Sequence, residues 1–389
     1  MDKSLNQKFA SARKYFPHIN KVVYFNTASY GPFSTLVNNA IVENLKIRMS
    51  ADKDDSHYVF SVKDNLRRGY AKLIGAKKDD VGIGQNTTFG LNIAAFGLPL
   101  KPGDEVLVSD IEFPALAYTW RAAAEERKLK LKFVKSKDRF FSIENLEKTI
   151  TKKTKVVSVS FVQFFNGYKN DLATISEICK KRNIFLVVDG IQGMGVEPIN
   201  VRKLGIDIFS SGCQKWMLSP QGCSFFYISE EIRNRLSNHY LSWLSADWKV
   251  EFTNLFRYDL PYFDSSQKYE MGYFGTLNLF GMNASLGLFE KLGIRNIQTH
   301  NYELIDRLID YFKQNDYYKI TSSIMKRHRS SILTFTCKNY KLLHRFLLKN
   351  KVILVQREGS IRVSIHLFNN RKDVDCTIEL LEKFEKDNR

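Results

Sequence analysis

The chain has 389 residues, 44% of them hydrophobic and 26% charged, a size and balance that suit two packed globular domains. No apolar run approaches the roughly 18 residues a membrane span requires, and residues 1–16 lack the apolar stretch of a signal peptide, so a cytoplasmic protein with no membrane partner is expected. The formal charge of +18 comes from lysines and arginines spread along the whole chain; with no helix-turn-helix, RNP or zinc-finger signature beside them, they argue for a solvated surface rather than a nucleic-acid partner.

Residues 1–20 read as an amphipathic helical arm ended by Pro17. A short strand at 22–25 leads into Asn26-Thr27-Ala28-Ser29-Tyr30-Gly31-Pro32, either a plain turn or the wall of a site, with Asn26 as a candidate substrate contact. Helices follow at 35–49 and 59–74, the second stopped by Gly75, and the polar loop 50–56 between them is long enough to be mobile.

At 81–92 a strand gives way to polar residues and then to a helix. Thr87 and Thr88 fall at its N-terminus, where free backbone N–H groups and the helix dipole favour an anion such as phosphate, although a threonine there can equally be a simple cap. The glycine spacing fits neither a Walker A loop nor a GxGxxG fingerprint. Phe113 occupies an equivalent strand-to-helix junction, between a strand at 105–108 and a helix at 115–127; its ring either stacks on a heteroaromatic ligand or packs in the core. Strands at 131–134 and 156–160 flank a helix at 143–149. The polar and aromatic loop 161–167 and a helix at 172–182 come next.

The apolar run 185–188 reads as a buried strand, and Asp189 as the first residue past it. A run at 206–210 ends in hydroxyls shortly before Lys215. Ligands of open α/β sheets bind outside the carboxyl ends of strands, which directs both side chains into one crevice. A desolvated lysine attacks carbonyls, and a buried carboxylate keeps a pyridine nitrogen protonated. Taken singly, each residue is as well explained as a loop cap or a surface charge.

A strand at 224–228 is expected to close the sheet. Residues 229–270, rich in aromatics that include Tyr240 and Phe252, look irregular and suit a substrate-site wall or a subunit interface. Helices at 279–292 and 296–315 precede strands at 331–336, 352–355 and 361–365 and helices at 341–349 and 373–386. The fold class is α/β: an arm (1–20), a large domain with a doubly wound, mostly parallel sheet (21–270) and a smaller C-terminal α+β domain (271–389). The five cysteines (Cys179, Cys213, Cys223, Cys337, Cys376) and seven histidines are scattered without ligand spacing, so no metal and no disulfide framework are expected.

Four segments in order, VYFNTASYGP (23–32), VQFFNGYKNDL (162–172), SSGCQKWMLSPQG (210–222) and IRVSIHLFNN (361–370), resemble the class V aminotransferases, pyridoxal-phosphate enzymes of the type I fold. The resemblance runs from Tyr24 to about Asp375 and is nearest to the branch named for isopenicillin N epimerase. It implies that Lys215 carries pyridoxal 5′-phosphate as an imine and shuttles the Cα proton of an amino-acid substrate, while Asp189 pairs with the pyridine nitrogen. It further implies that Gln192 donates to the phenolic oxygen, Phe113 stacks on the ring, and Thr87, Thr88 and Gln214 hold the phosphate. Gly275 and Thr276 would reach the phosphate from a neighbouring subunit, making a homodimer with shared sites. Arg362 would grip the substrate carboxylate, with Arg357 as a second candidate.

Three departures bear on the reaction. Gln214 and Phe113 stand where cysteine desulfurases of the class carry histidines, and 355–360 lacks the loop cysteine those enzymes need. Gly212 stands where many relatives have a phosphate-binding serine, so either Ser210 or Ser211 substitutes or that contact is missing. The expected reaction is transamination, with epimerisation and β-elimination as alternatives of the same family. A basic nucleic-acid-binding protein that kept the fold without chemistry is the rival from another class.

Overall fold

The structure is a computed structural model and describes residues 3–50, 56–237, 241–249, 253–272 and 275–389. Residues 51–55 of the expected mobile loop, and Tyr240 and Phe252, lie outside the described residues. The strands in chain order are β1 (Val23–Tyr24), β2 (Val81–Gly84), β3 (Glu105–Ser109), β4 (Lys130–Val134), β5 (Thr154–Ser160), β6 (Phe185–Asp189), β7 (Ile208–Gly212), β8 (Ser224–Ile228), β9 (Lys319–Ile320), β10 (Ile332–Thr336), β11 (Val352–Ile353), β12 (Val355–Arg357) and β13 (Ser360–Ser364).

Seven of them make one sheet in the order β2-β8-β7-β6-β5-β3-β4. Pairing is parallel from β7 through β6, β5 and β3 to β4, whereas β8 runs antiparallel to both β7 and β2. The mostly parallel sheet expected from the strand–helix alternation is present, but β8 does not close it. That strand sits inside the sheet, because β2, far earlier in the chain, takes the edge beyond it.

The central strands are buried along nearly their whole length and mostly apolar, because both of their faces are covered. Side chains alternate faces along a strand, so Val106 and Val108 pack with Leu91 and Trp120 of the helices Thr87–Gly97 and Pro114–Arg127. Leu107, between them, joins the opposite layer with Ile175, Leu66 and Leu286 of the helices Leu172–Lys181, Ser56–Ile74 and Thr276–Leu292. Hiding both faces leaves the strand ends as the places where polar side chains accumulate.

The smaller unit is an antiparallel sheet, β12-β13-β10-β9, with its own core of Leu308, Phe335, Leu347, Val363 and Phe384. The expected strand at 352–355 divides in two: β11 pairs in parallel with β1, and β12 pairs antiparallel with β13. Phe25, directly after β1, is buried in this second core. The stretch after the N-terminal arm therefore packs with the C-terminal unit and, through the loop that follows, leads directly to the strand ends of the large sheet.

Candidate active site

The carboxyl ends of β5, β6 and β7, the junctions after β2 and β3, the loop 26–31 and the hairpin β12–β13 enclose a cavity of about 690 Å³. Asp189 lies at its floor. It is the last residue of β6 rather than the first past it, paired in register with Ser160 and Ser210, which fixes its backbone on both sides. Its carboxylate accepts the Ile191 N–H at 2.9 Å. Burial pushes its pKa up to about 6, opposed by that hydrogen bond and by Lys215.

Lys215 lies in the tight segment between β7 and β8. Gly31 holds the neighbouring loop against it: the Gly31 N–H donates to the Gln214 carbonyl at 2.9 Å, and a Cβ on Gly31 would fall 2.2 Å from the Lys215 carbonyl oxygen. Only glycine permits that approach. Burial drives the Lys215 pKa down to about 8, with Asp189 opposing and the cations of Arg362 and Arg357 adding to the fall. Its Nζ stands 5.3 Å from the centroid of the Phe113 ring. Phe113 itself precedes the first helical residue, Pro114, and leaves its ring 39% exposed at the cavity, edge-on to Phe164.

Thr87 and Thr88 are the first two residues of their helix, but neither is its cap. Asn86 takes that role, its Oδ1 accepting the Phe89 N–H at 2.9 Å. That cap takes the Phe89 N–H and leaves the Thr87 and Thr88 N–H groups for a ligand, and both threonines line the cavity wall. The Thr87 hydroxyl accepts the Gly212 N–H at 2.9 Å, tying the helix to the end of β7.

Ser210 and Ser211 do not replace a serine at 212. Both are buried away from the cavity, donating to the Thr87 carbonyl (2.8 Å) and the Gly212 carbonyl (3.2 Å). The space a Cβ on Gly212 would need lies 2.5 Å from Gln214 Oε1. Gln192 lines the cavity with its amide anchored: Nε2 donates to the Ala28 carbonyl and Oε1 accepts from Trp216 Nε1. One N–H of that amide remains for a ligand.

Arg362, in the middle of β13, is 1% exposed. Its guanidinium donates to Ser29 Oγ at 2.7 Å and to the Phe164 carbonyl, while Nε has no partner. Among the described residues no carboxylate pairs with it. Burial, and the charge of Arg357, lower its pKa to about 9. Arg357 reaches the same cavity from the exposed edge of the hairpin.

Two of the expected site residues do not line this chain's own cavity. Asn26 is bridged through its backbone to Ser364 and does not line the cavity, which the loop reaches at Ala28, Ser29 and Tyr30. Thr276, the first residue of its helix, is also outside the lining and Gly275 is within it, although the contact expected of both is to a neighbouring subunit's site.

Glu112 was not legible as a site residue. Its carboxylate accepts the Ser160 N–H and Gln163 Nε2, each at 2.9 Å, and the Ser160 hydroxyl, fastening the junction that bears Phe113 to the end of β5. Burial raises its pKa to about 7, against the pull of the Ser160 hydrogen bonds and with Asp189 adding to the rise. The available signal was a carboxylate one position before Phe113 at the same strand end. The Ser29 hydroxyl and the Phe164 carbonyl, which orient Arg362, had no signal beyond their loops.

None of the five cysteines lines the cavity. Cys213 is nearest in sequence, but its thiol lies 3.4 Å from the Tyr70 hydroxyl in the core, and burial pushes its pKa up to about 12. The turn joining β12 and β13 is only Glu358-Gly359, both at positive φ as in a type I′ hairpin. Among the described residues no cluster of three or more His, Cys, Asp or Glu could hold a metal.

A family model described as aminotransferase class V matches residues 47–376. The chain is 24% identical to an uncharacterized aminotransferase of Bacillus subtilis (strain 168), over 80% of this chain and 81% of that one. It is 25% identical to a probable cysteine desulfurase of Borreliella burgdorferi, over 99% and 98% of the two chains. Among solved structures, the apo cysteine desulfurase of Thermococcus onnurineus NA1 superposes with a TM-score of 0.86 at 22% identity, covering 97% of this chain and 98% of that one. That likeness supports the same fold, a large mixed sheet with a smaller C-terminal unit.

Proposed function

The chain belongs to the class V aminotransferase family, and on that premise we propose that it removes the Cα proton of an amino acid and completes a transamination. It is a pyridoxal 5′-phosphate-dependent enzyme, and the residues present fit that cofactor. A buried carboxylate with a single hydrogen bond, the open first turn of a helix, an exposed aromatic face and a lysine of lowered pKa all border one cavity. When bound, the cofactor supplies an electron sink for the charge left at Cα.

The chain's own residues then have separable tasks. Asp189 holds a proton on the cofactor's ring nitrogen, and the spare Gln192 N–H donates to its phenolic oxygen. The first-turn N–H groups of Thr87 and Thr88, with Gln214, take the phosphate. Phe113 would bound one face of the ring, and Gly275 and Thr276 would reach the phosphate in a neighbouring subunit's site. Lys215 would hold the cofactor and would accept and return the Cα proton, a role served by an amine whose pKa lies near 8. Arg362 grips the α-carboxylate in a two-pronged contact.

The observation that carries this reading is Arg362. A guanidinium buried at 1% exposure with no carboxylate beside it among the described residues is costly to fold, and it opens onto the cavity that holds Lys215. Transamination is preferred because it requires no second base, no leaving group and no cysteine nucleophile at the lining. We also place the chain in the isopenicillin N epimerase-like branch, on the four segments quoted above, and in the cytoplasm as a homodimer. The described residues hold no helix long and apolar enough to cross a membrane.

The test is a panel of amino acids offered to the holoenzyme with a keto-acid acceptor. Transfer of the amino group to the acceptor, without free ammonia, is expected. Ammonia or sulfide release, or loss of chirality with solvent-deuterium uptake and no transfer, overturns transamination in favour of elimination, sulfur transfer or epimerisation.

A further inference from the structure

Arg357 and Arg362 are diagonal neighbours on one face of the hairpin β12–β13. The register pairs Val355 with Arg362 and Arg357 with Ser360, and side chains two apart along a strand share a face. Residues so placed lie about 7–8 Å apart, close enough for two guanidinium groups to repel. The charge of Arg357 is indeed felt at both Arg362 and Lys215.

The two-residue turn Glu358-Gly359 fixes this register, and Arg139 Nη2 donates to the Glu358 carbonyl at 2.8 Å, so the hairpin cannot slip to separate the pair. No carboxylate among the described residues pairs with either arginine. Among the described residues the Arg357 side chain makes a single hydrogen bond, a long one of 3.4 Å to the carbonyl of its neighbour Gln356. Surface lysines without partners are ordinary in a chain of charge +18; a second arginine lining the same cavity as a buried one is not.

The carboxylate, ammonium and guanidinium side chains that line the cavity are those of Asp189, Lys215, Arg357 and Arg362. Under the reading above, Asp189 serves the cofactor's ring nitrogen, Lys215 gives up its charge on attachment, and the phosphate is met by a helix terminus. Two guanidinium groups remain. A substrate's α-carboxylate satisfies one of them and leaves the other in the same cavity without a counter-charge.

We propose that Arg357 is a specificity-determining residue that receives a second anion, so that the substrate is an amino acid whose side chain ends in an oxyanion, a carboxylate in the first instance. The inference rests on Arg362 taking the α-carboxylate. It does not depend on the outcome of the reaction at Cα.

The experiment uses the holoenzyme and two unreactive probes, glutarate and butyrate, with binding followed by the absorbance of the bound cofactor and by calorimetry. Glutarate is expected to bind at least about tenfold more tightly than butyrate, as for one added charge-assisted hydrogen-bonded pair. Arg357→Gln should remove most of that difference, and Arg357→Lys should restore part of it. In turnover, glutamate, aspartate, cysteate and O-phosphoserine are compared with glutamine and alanine, which separates carboxylate from sulfonate and phosphate. Equal binding of glutarate and butyrate by the wild type, or an equal loss for both probes in Arg357→Gln, overturns the proposal. If no amino acid transfers its group while glutarate is still preferred, transamination fails and the role of Arg357 stands.

Discussion

Asp189 offers a test that separates the fold from its chemistry. In the cofactor-free protein its pKa is raised from the ordinary 3.8 to about 6, chiefly by burial. The folded chain therefore binds this proton more tightly than the unfolded chain does, so stability falls as pH rises from about 4 to about 6 and the full penalty persists above that. A shift of about two units corresponds to about 3 kcal/mol. Asn at this position keeps an oxygen for the Ile191 N–H and carries no charge. Lys215 loses its counter-ion in the same variant, which offsets part of the gain.

Asp189→Asn apoprotein should thus be more stable than wild type at pH 8, by up to about 3 kcal/mol, and nearly equal to it near pH 4. Urea unfolding at pH 4, 6 and 8 reads the gap directly. With pyridoxal phosphate added, the order should reverse at pH 8, because the wild-type carboxylate gains the ring nitrogen as its partner. A variant less stable than wild type at pH 8 without cofactor, or a gap that ignores pH, would refute the reasoning.

Three other outcomes follow from the same geometry. Because burial brings the Lys215 pKa to about 8, the rate of forming a borohydride-reducible adduct with pyridoxal phosphate should climb through pH 8 and level off above it, well below the 10.5 of an ordinary lysine. Glu270→Gln removes the carboxylate shared by Lys63 Nζ (2.6 Å) and Arg67 Nε (2.7 Å) in the core. A loss of about 3–5 kcal/mol is expected at pH 7 in chemical denaturation. It should shrink as pH falls from 4.5 towards the wild-type Glu270 pKa of about 2, since a carboxyl with a depressed pKa contributes only while ionised. Gly190→Ala would put a methyl group 1.9 Å from the Phe209 ring, one residue from Asp189; a loss of about 1–3 kcal/mol and weaker cofactor binding should appear together in thermal melts and a spectral titration.

The site was legible in the sequence where chemistry coincides with a strand end. Asp189, Thr87, Thr88, Phe113 and Lys215 each follow a short apolar run, and a doubly wound sheet gathers such positions at one edge. Pairing partners were not legible. Nothing local to 224–228 says that β8 will lie between β7 and β2, and nothing in 352–355 says that its two halves will join different sheets. Side-chain hydrogen bonds across the chain were equally hidden. The Thr87 hydroxyl is engaged by Gly212, and the residues that orient Arg362, Ser29 and Phe164, come from loops some 200 to 330 residues away. Glu112 escaped notice because a carboxylate beside a proline-initiated helix ordinarily reads as a surface charge.

The central claim is that Lys215 is the residue that binds the cofactor in a site completed by Asp189. The most direct measurement is borohydride reduction of the protein mixed with pyridoxal phosphate, followed by peptide mapping of the fixed label, for wild type and Lys215→Ala. One label on the peptide containing Lys215, absent from the variant, is the expected result. A label on another lysine, or one retained by Lys215→Ala, would contradict it.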